Sequence, residues 1–172
     1  QEDQHGNIWF DTGSGINKYD GKEITNPIHK YDMTSTINHE NNWKNEPPYL
    51  WFNGELKGGV YKYDGEGLKL LKFPELPADH ESFSIRGTVT AISKGQKNNI
   101  WLANYGGVIG HDGESFIYIN QRGVDYHVRS LLADSKGNLW IGNNGIGVLK
   151  YDGKTTINFT EKMGVDDVNS NR

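Results

Sequence analysis

The chain of 172 residues is about one domain in length and can bury a core; its 18 Lys and Arg stand against 22 Asp and Glu, a net charge of −4. That balance excludes a protein that grips nucleic-acid phosphates, which needs a basic face, and the lack of cysteine excludes disulfides, thiol catalysis and thiolate metal sites. The 22 glycines, with 12% aromatic and only 34% hydrophobic residues, describe short strands and many turns rather than a helical bundle. No apolar run approaches the ~18 residues of a spanning helix, so no membrane insertion is expected.

Four segments share a Trp core: Ile8-Trp9-Phe10, Leu50-Trp51-Phe52, Ile100-Trp101-Leu102 and Leu139-Trp140-Ile141. Each leads to a second mark: Lys18-Tyr19-Asp20-Gly21, Lys62-Tyr63-Asp64-Gly65, Gly110-His111-Asp112-Gly113 and Lys150-Tyr151-Asp152-Gly153. The Trp-to-Trp intervals are 42, 50 and 39 residues. A period in the forties with Trp and Asp-Gly marks predicts a propeller built from blades of about four antiparallel strands. The blades fall at about 1–32, 33–77, 78–122 and 123–163, with 164–172 completing the first, in a single all-β domain.

In chain order, the first repeat runs from Asp3 through Trp9 and the turn Gly13-Ser14-Gly15 to Asp20-Gly21. The second has an inner strand near 34–38 and then a polar insertion, 39–48, before its Trp. Trp43 lies in that insertion, outside the repeat phase, which makes it a candidate for ligand contact. The third is preceded by a long link, 74–84. The fourth is the clearest. Residues 128–133 read as an inner strand buried on both faces, 134–138 as a turn, and 139–142 as a strand. Asn143-Asn144-Gly145 is a turn, 147–151 a third strand, Asp152-Gly153 a two-residue hairpin turn, and 155–159 a fourth strand. Asp134 and its equivalent Asp3 are expected to accept backbone N–H bonds in their own turns. Trp9, Trp51, Trp101 and Trp140 are expected to pack one blade on the next.

The order Gly-Asn-Ile/Leu-Trp, Gly-rich turn, Tyr-Asp-Gly-Lys and a Thr/Phe-rich strand resembles the two-component regulator propeller repeat. The match is closest from Leu131 to Thr160 and nearly as good from Glu2 to Lys22. Repeats two and three depart from it, with Phe52-Asn53 and Leu102-Ala103 after the Trp pair and His111 in place of Tyr. The resemblance implies a bacterial, extracytoplasmic (periplasmic or secreted) sensor-type propeller that binds ligands such as glycans, or partner domains. On that reading the chain is a non-catalytic module for ligand binding, sensing or interaction, with no cofactor. The alternatives are a pure protein–protein scaffold and an enzyme resembling the streptogramin lyase group of propellers. The latter would use His, Glu and a divalent metal, yet His5, His29, His39, His80, His111 and His127 form no short motif.

Loops joining the second and third strands of each blade share one end of a propeller with the starts of the inner strands. Asn53, Glu55, Asn104, Tyr105, Asn143 and Asn144 fall in the first group, and Arg86, His127 and Arg129 in the second. Amides, guanidinium groups and an aromatic ring suit a neutral or acidic oligosaccharide or another small molecule. No metal ligand set is expected. The ring is expected to close either by pairing of the N- and C-terminal segments in a monomer or by association of two copies as a homodimer; the third alternative is that the chain is a piece of a longer propeller.

Overall fold

The computed structural model describes residues 1–12, 14–29, 49–54, 59–73, 89–96, 99–104, 107–112, 114–119 and 128–164. Four antiparallel sheets follow one another along the chain, and within each the strands are neighbours in chain order. The first holds β1 (Ile8–Thr12), β2 (Gly15–Tyr19) and β3 (Ile24–His29); the second β4 (Leu50–Asn53), β5 (Gly59–Tyr63) and β6 (Leu68–Lys72). The third holds β7 (Ala91–Lys94), β8 (Ile100–Asn104), β9 (Gly107–His111) and β10 (Phe116–Ile119). The fourth holds β11 (Val128–Ala133), β12 (Leu139–Asn143), β13 (Gly147–Tyr151) and β14 (Thr156–Asn158). The expected all-β, blade-like architecture is present. The chain divides into two compact units, the first containing the first two sheets and the second the last two. The inner strand of repeat two at 34–38, the insertion at 39–48, the link at 74–84 and the segment 168–172 lie outside the described residues.

In each unit the Trp side of one sheet packs on the Tyr side of the next. In the first unit Trp9 and Ile16 of the first sheet meet Leu50, Phe52, Tyr61, Tyr63 and Leu70 of the second. The Trp9 ring lies 4.6 Å from Tyr63 and 6.0 Å from Phe52, centroid to centroid. In the second unit Trp101, Ala103 and Val108 meet Val128, Leu139, Ile141 and Leu149, and Trp101 stands edge-on to Tyr151 at 5.9 Å. Alternation along the strands sends the two apolar sets to opposite faces, so one sheet can be covered on both sides. Trp140 differs from the expectation for it: its ring meets Phe159, just beyond its own last strand, at 4.9 Å.

Three of the four repeat Trp residues face a Lys across the strand pair. Trp9 pairs with Lys18, Trp51 with Lys62 and Trp140 with Lys150, each ammonium 5.6–5.9 Å from its ring. The second pair is the most buried: the Lys62 side chain is fully buried, with its ammonium also 4.2 Å from the Tyr49 ring. Trp101 faces Gly110 instead.

The Asp-Gly turns are wider than predicted. Tyr19 pairs with Ile24, Tyr63 with Leu68, His111 with Phe116 and Tyr151 with Thr156, so four residues connect each pair of strands, not two. The cause is the Asp carboxylate. Asp20 accepts from the backbone N–H of Lys22 and Glu23, and Asp152 from Lys154 and Thr155, all at 2.8–2.9 Å. Those bonds stabilise the longer loop, and Gly21 and Gly153, at φ 94° and 97°, take the left-handed conformation it needs.

Two further expectations for the fourth repeat are corrected. Only Val128 of β11 is fully buried; Arg129 and Ser130 are exposed and Leu132 is 62% exposed. β11 is the edge strand of its sheet and packs on β7 through one face alone, helped by the Ala133 N–H bond to Ser93 Oγ at 2.9 Å. The last strand stops at Asn158, because the Asn158 side chain accepts from the Glu161 N–H and starts the single helical turn α1 (Phe159–Lys162).

Candidate ligand-binding face

The recurring acids belong to the scaffold. Asp3 accepts from the backbone N–H of His5 and Asn7, from Asn7 Nδ2, and from Trp9 Nε1 at 2.7 Å. Asp134 repeats the set with Lys136, Asn138, Asn138 Nδ2 and Trp140 Nε1 at 2.9 Å. The turn expectation holds, and the sequence reading missed the indole. Burial opposes ionisation of Asp3, but the bonds from Asn7, Trp9 and His5 outweigh it and lower its pKa to about 2. The bonds from Asn138 and Trp140 likewise hold Asp134 well below the usual carboxylate range.

A carboxyl whose folded pKa is depressed stabilises the fold above its unfolded value, here 3.8 for Asp3. That contribution is lost as pH falls from about 4 through about 2. The melting temperature of the parent chain should therefore fall faster than that of Asp3→Asn over this window. Parallel curves in a pH series of thermal melts would remove Asp3 from the acid response.

The polar side chains proposed for a ligand sit at the opposite ends of the strands. Asn53, Asn104 and Asn143 each end the second strand of their repeat, and Thr12 ends that strand in the first. Asn104 is buried, Asn53 and Asn143 are half-buried, and Asn144 is exposed. Asn143 also holds its own turn, its Oδ1 accepting from Gly145 at 2.8 Å and Ile146 at 3.3 Å.

The fourth sheet brings three candidates together. Val128 pairs with Asn143 and Ser130 with Gly142, so a bulge falls at Arg129. A bulge re-aims the side chain of its extra residue, and Arg129 is exposed beside the Asn143-Asn144 turn. The bulge is anchored from the neighbouring sheet, where Thr90 Oγ1 donates to the Val128 carbonyl at 2.7 Å. Asn53 belongs to the other unit. Trp43, Glu55, Arg86, Tyr105 and His127 lie outside the described residues.

For the lyase alternative, His111 is buried with its ring edge-on to Phe116 at 4.7 Å, and burial pushes its pKa down despite the nearby Asp112. His5 is exposed, and His39, His80 and His127 lie outside the described residues. Among the described residues no three of His, Asp and Glu cluster as a metal site would require, and no helix is long and apolar enough to cross a membrane. The first unit also carries an open groove of about 430 Å³ that includes Lys18, Thr25, Pro27 and Glu66, which the sequence reading did not anticipate. Its walls come from strands of the first two sheets and from the turn that begins at Asp64-Gly65, which are far apart in the chain.

The family model described as two component regulator propeller matches residues 123–145, the stretch that contains Arg129, Asn143 and Asn144. The fold is similar to the extracellular domain of BT3049 from B. thetaiotaomicron, named as a hybrid two component system protein, with 23% identity and a TM-score of 0.66. It is also similar to the extracellular domain of BT4673 from the same organism, named as a one component system protein, with 18% identity and a TM-score of 0.59. Each likeness covers 91% of this chain and 23% of the other, so the chain spans under a quarter of their length. No curated protein is similar to the chain at a significant level. With its four sequential sheets, the chain has the propeller fold, and residues 123–145 match the two component regulator propeller repeat.

Proposed function

We propose that the chain is a non-catalytic, extracytoplasmic sensing module that takes an oligosaccharide at the Arg129–Asn143–Asn144 end of its fourth sheet. The observation that carries this reading is the bulge at Arg129 beside an exposed amide turn. The repeat's acids are held by N–H groups of the scaffold, and at this end of the sheet a guanidinium and an amide are exposed. Amides suit sugar hydroxyls, and a guanidinium offers paired donors to a carboxylate where the sugar carries one. Placement outside the cytoplasm is supported by the two similar structures, both described as extracellular domains.

The test is a glycan array followed by titration of any hit against the Arg129→Ala/Asn144→Ala double variant. Affinity should fall about tenfold or more, as loss of a charge-assisted bond implies, with the thermal midpoint nearly unchanged because both residues are exposed. Equal affinity in the double variant would place the ligand elsewhere. An array without binding, together with a protein captured by the chain, would replace the sensing reading with an interaction scaffold.

A further inference from the structure

Six of the seven large hydrophobics exposed among the described residues lie on two sheet faces, leaving only Met163 aside. The first is the Trp side of the fourth sheet. Register places Leu132, Trp140, Lys150 and Ile157 in one row across it, with Val148 in the next. Leu132 is 62% exposed, and Val148 and Ile157 close to 40%. The second is the Tyr side of the first sheet, where Ile8, Tyr19 and Ile24 form a row with exposures of 42%, 39% and 63%.

These faces correspond to the two halves of a joint the chain already makes twice. Trp140 occupies the strand position of Trp9 and Trp101, which cover the Tyr side of the following sheet. Tyr19 occupies the position of Tyr63 and Tyr151, which receive those rings. Polar side chains of the Tyr19 face bond to one another: Asn26 Nδ2 donates to Asn17 Oδ1 at 3.1 Å, and Asn17 Nδ2 to Thr12 Oγ1 at 2.9 Å. Those bonds lower the cost of covering that face.

We propose that the Trp140 face of one copy receives the Tyr19 face of a second copy of this chain. The joint uses two different surfaces, so association is head to tail. Each copy offers one surface of each kind, and two copies satisfy both with two equivalent joints.

Light scattering on the purified chain should give about twice the chain mass of 19.4 kDa. Leu132→Asp on one face and Ile24→Glu on the other should each give a single-chain mass with unchanged circular dichroism, because both side chains already face solvent in the single chain. Mixing the two variants should restore one joint and hence a paired species, since each retains the surface the other has lost. A single-chain mass for the parent at 100 µM, or a dimer that survives both substitutions, would overturn the proposal. A mixture that stays at single-chain mass would overturn it too, because it denies the head-to-tail arrangement.

Discussion

Trp9→Ala should cost about 3–5 kcal/mol of stability, the range for removing a large buried ring. The ring is 4% exposed, it stacks on Tyr63 and Phe52 of the next sheet, and its N–H reaches the Asp3 carboxylate. Two effects are therefore removed together, and Trp9→Phe separates them. Phenylalanine keeps most of the contact with Tyr63 but withdraws the donor, which should cost about 1–3 kcal/mol. Trp140→Ala supplies the comparison. Its bond to Asp134 is nearly the same length, but the ring is only half-buried, and its aromatic contact is Phe159 at the end of its own sheet rather than a ring of the next sheet. Its loss should be clearly smaller than that of Trp9. Urea titrations followed by circular dichroism would read all three as midpoint shifts at constant slope. If Trp9→Ala and Trp140→Ala cost the same, packing between sheets is not what separates the two sites.

The repeat, the strand order and the sheet-to-sheet role of Trp9 and Trp101 were legible because each depends on spacing within one blade. Asp3 and Asp134 were legible as turn acids because Asx-type bonds reach only two to four residues along the chain. Their bonds to Trp9 and Trp140 were not, since an indole six residues away meets the carboxylate only after the turn has folded back on the strand. The Asp-Gly turns were read as two-residue hairpins from the dipeptide alone. The four-residue loop depends on a carboxylate capping two N–H groups, which composition does not encode. Residues 128–133 looked buried on both sides because an apolar run carries no record of what lies beyond its sheet; in the structure Leu132 is exposed. The candidate face divides the same way. The register of Asn53, Asn104 and Asn143 followed from the repeat, but the burial of Asn104 and the bulge at Arg129 are set by packing and pairing of neighbouring strands.

Gly110→Lys should destabilise the chain, although it installs the residue that the other three sheets carry opposite their Trp. The expectation from the repeat alone is the reverse. Lys18, Lys62 and Lys150 each place an ammonium over the facing ring, and one such contact contributes about 0.5–1 kcal/mol at an exposed site. In the third sheet, however, the Trp101 ring has turned onto the glycine itself, and a Cβ at residue 110 would fall on its six-membered ring. The ring cannot simply retreat, because it is 7% exposed and held edge-on to Tyr151 within the core of the second unit. Forcing atoms into such a space costs about 1–3 kcal/mol, which exceeds what a cation over the ring returns. Gly110→Ala should already be destabilising for the same reason. The decisive comparison is the double-mutant cycle with Trp101→Ala: once the indole is gone, Gly110→Lys should cost markedly less, and the coupling should exceed 0.5 kcal/mol. Additive losses would show that the glycine is needed for its backbone alone. A stabilising Gly110→Lys would mean that the ring of Trp101 stands where its three counterparts do.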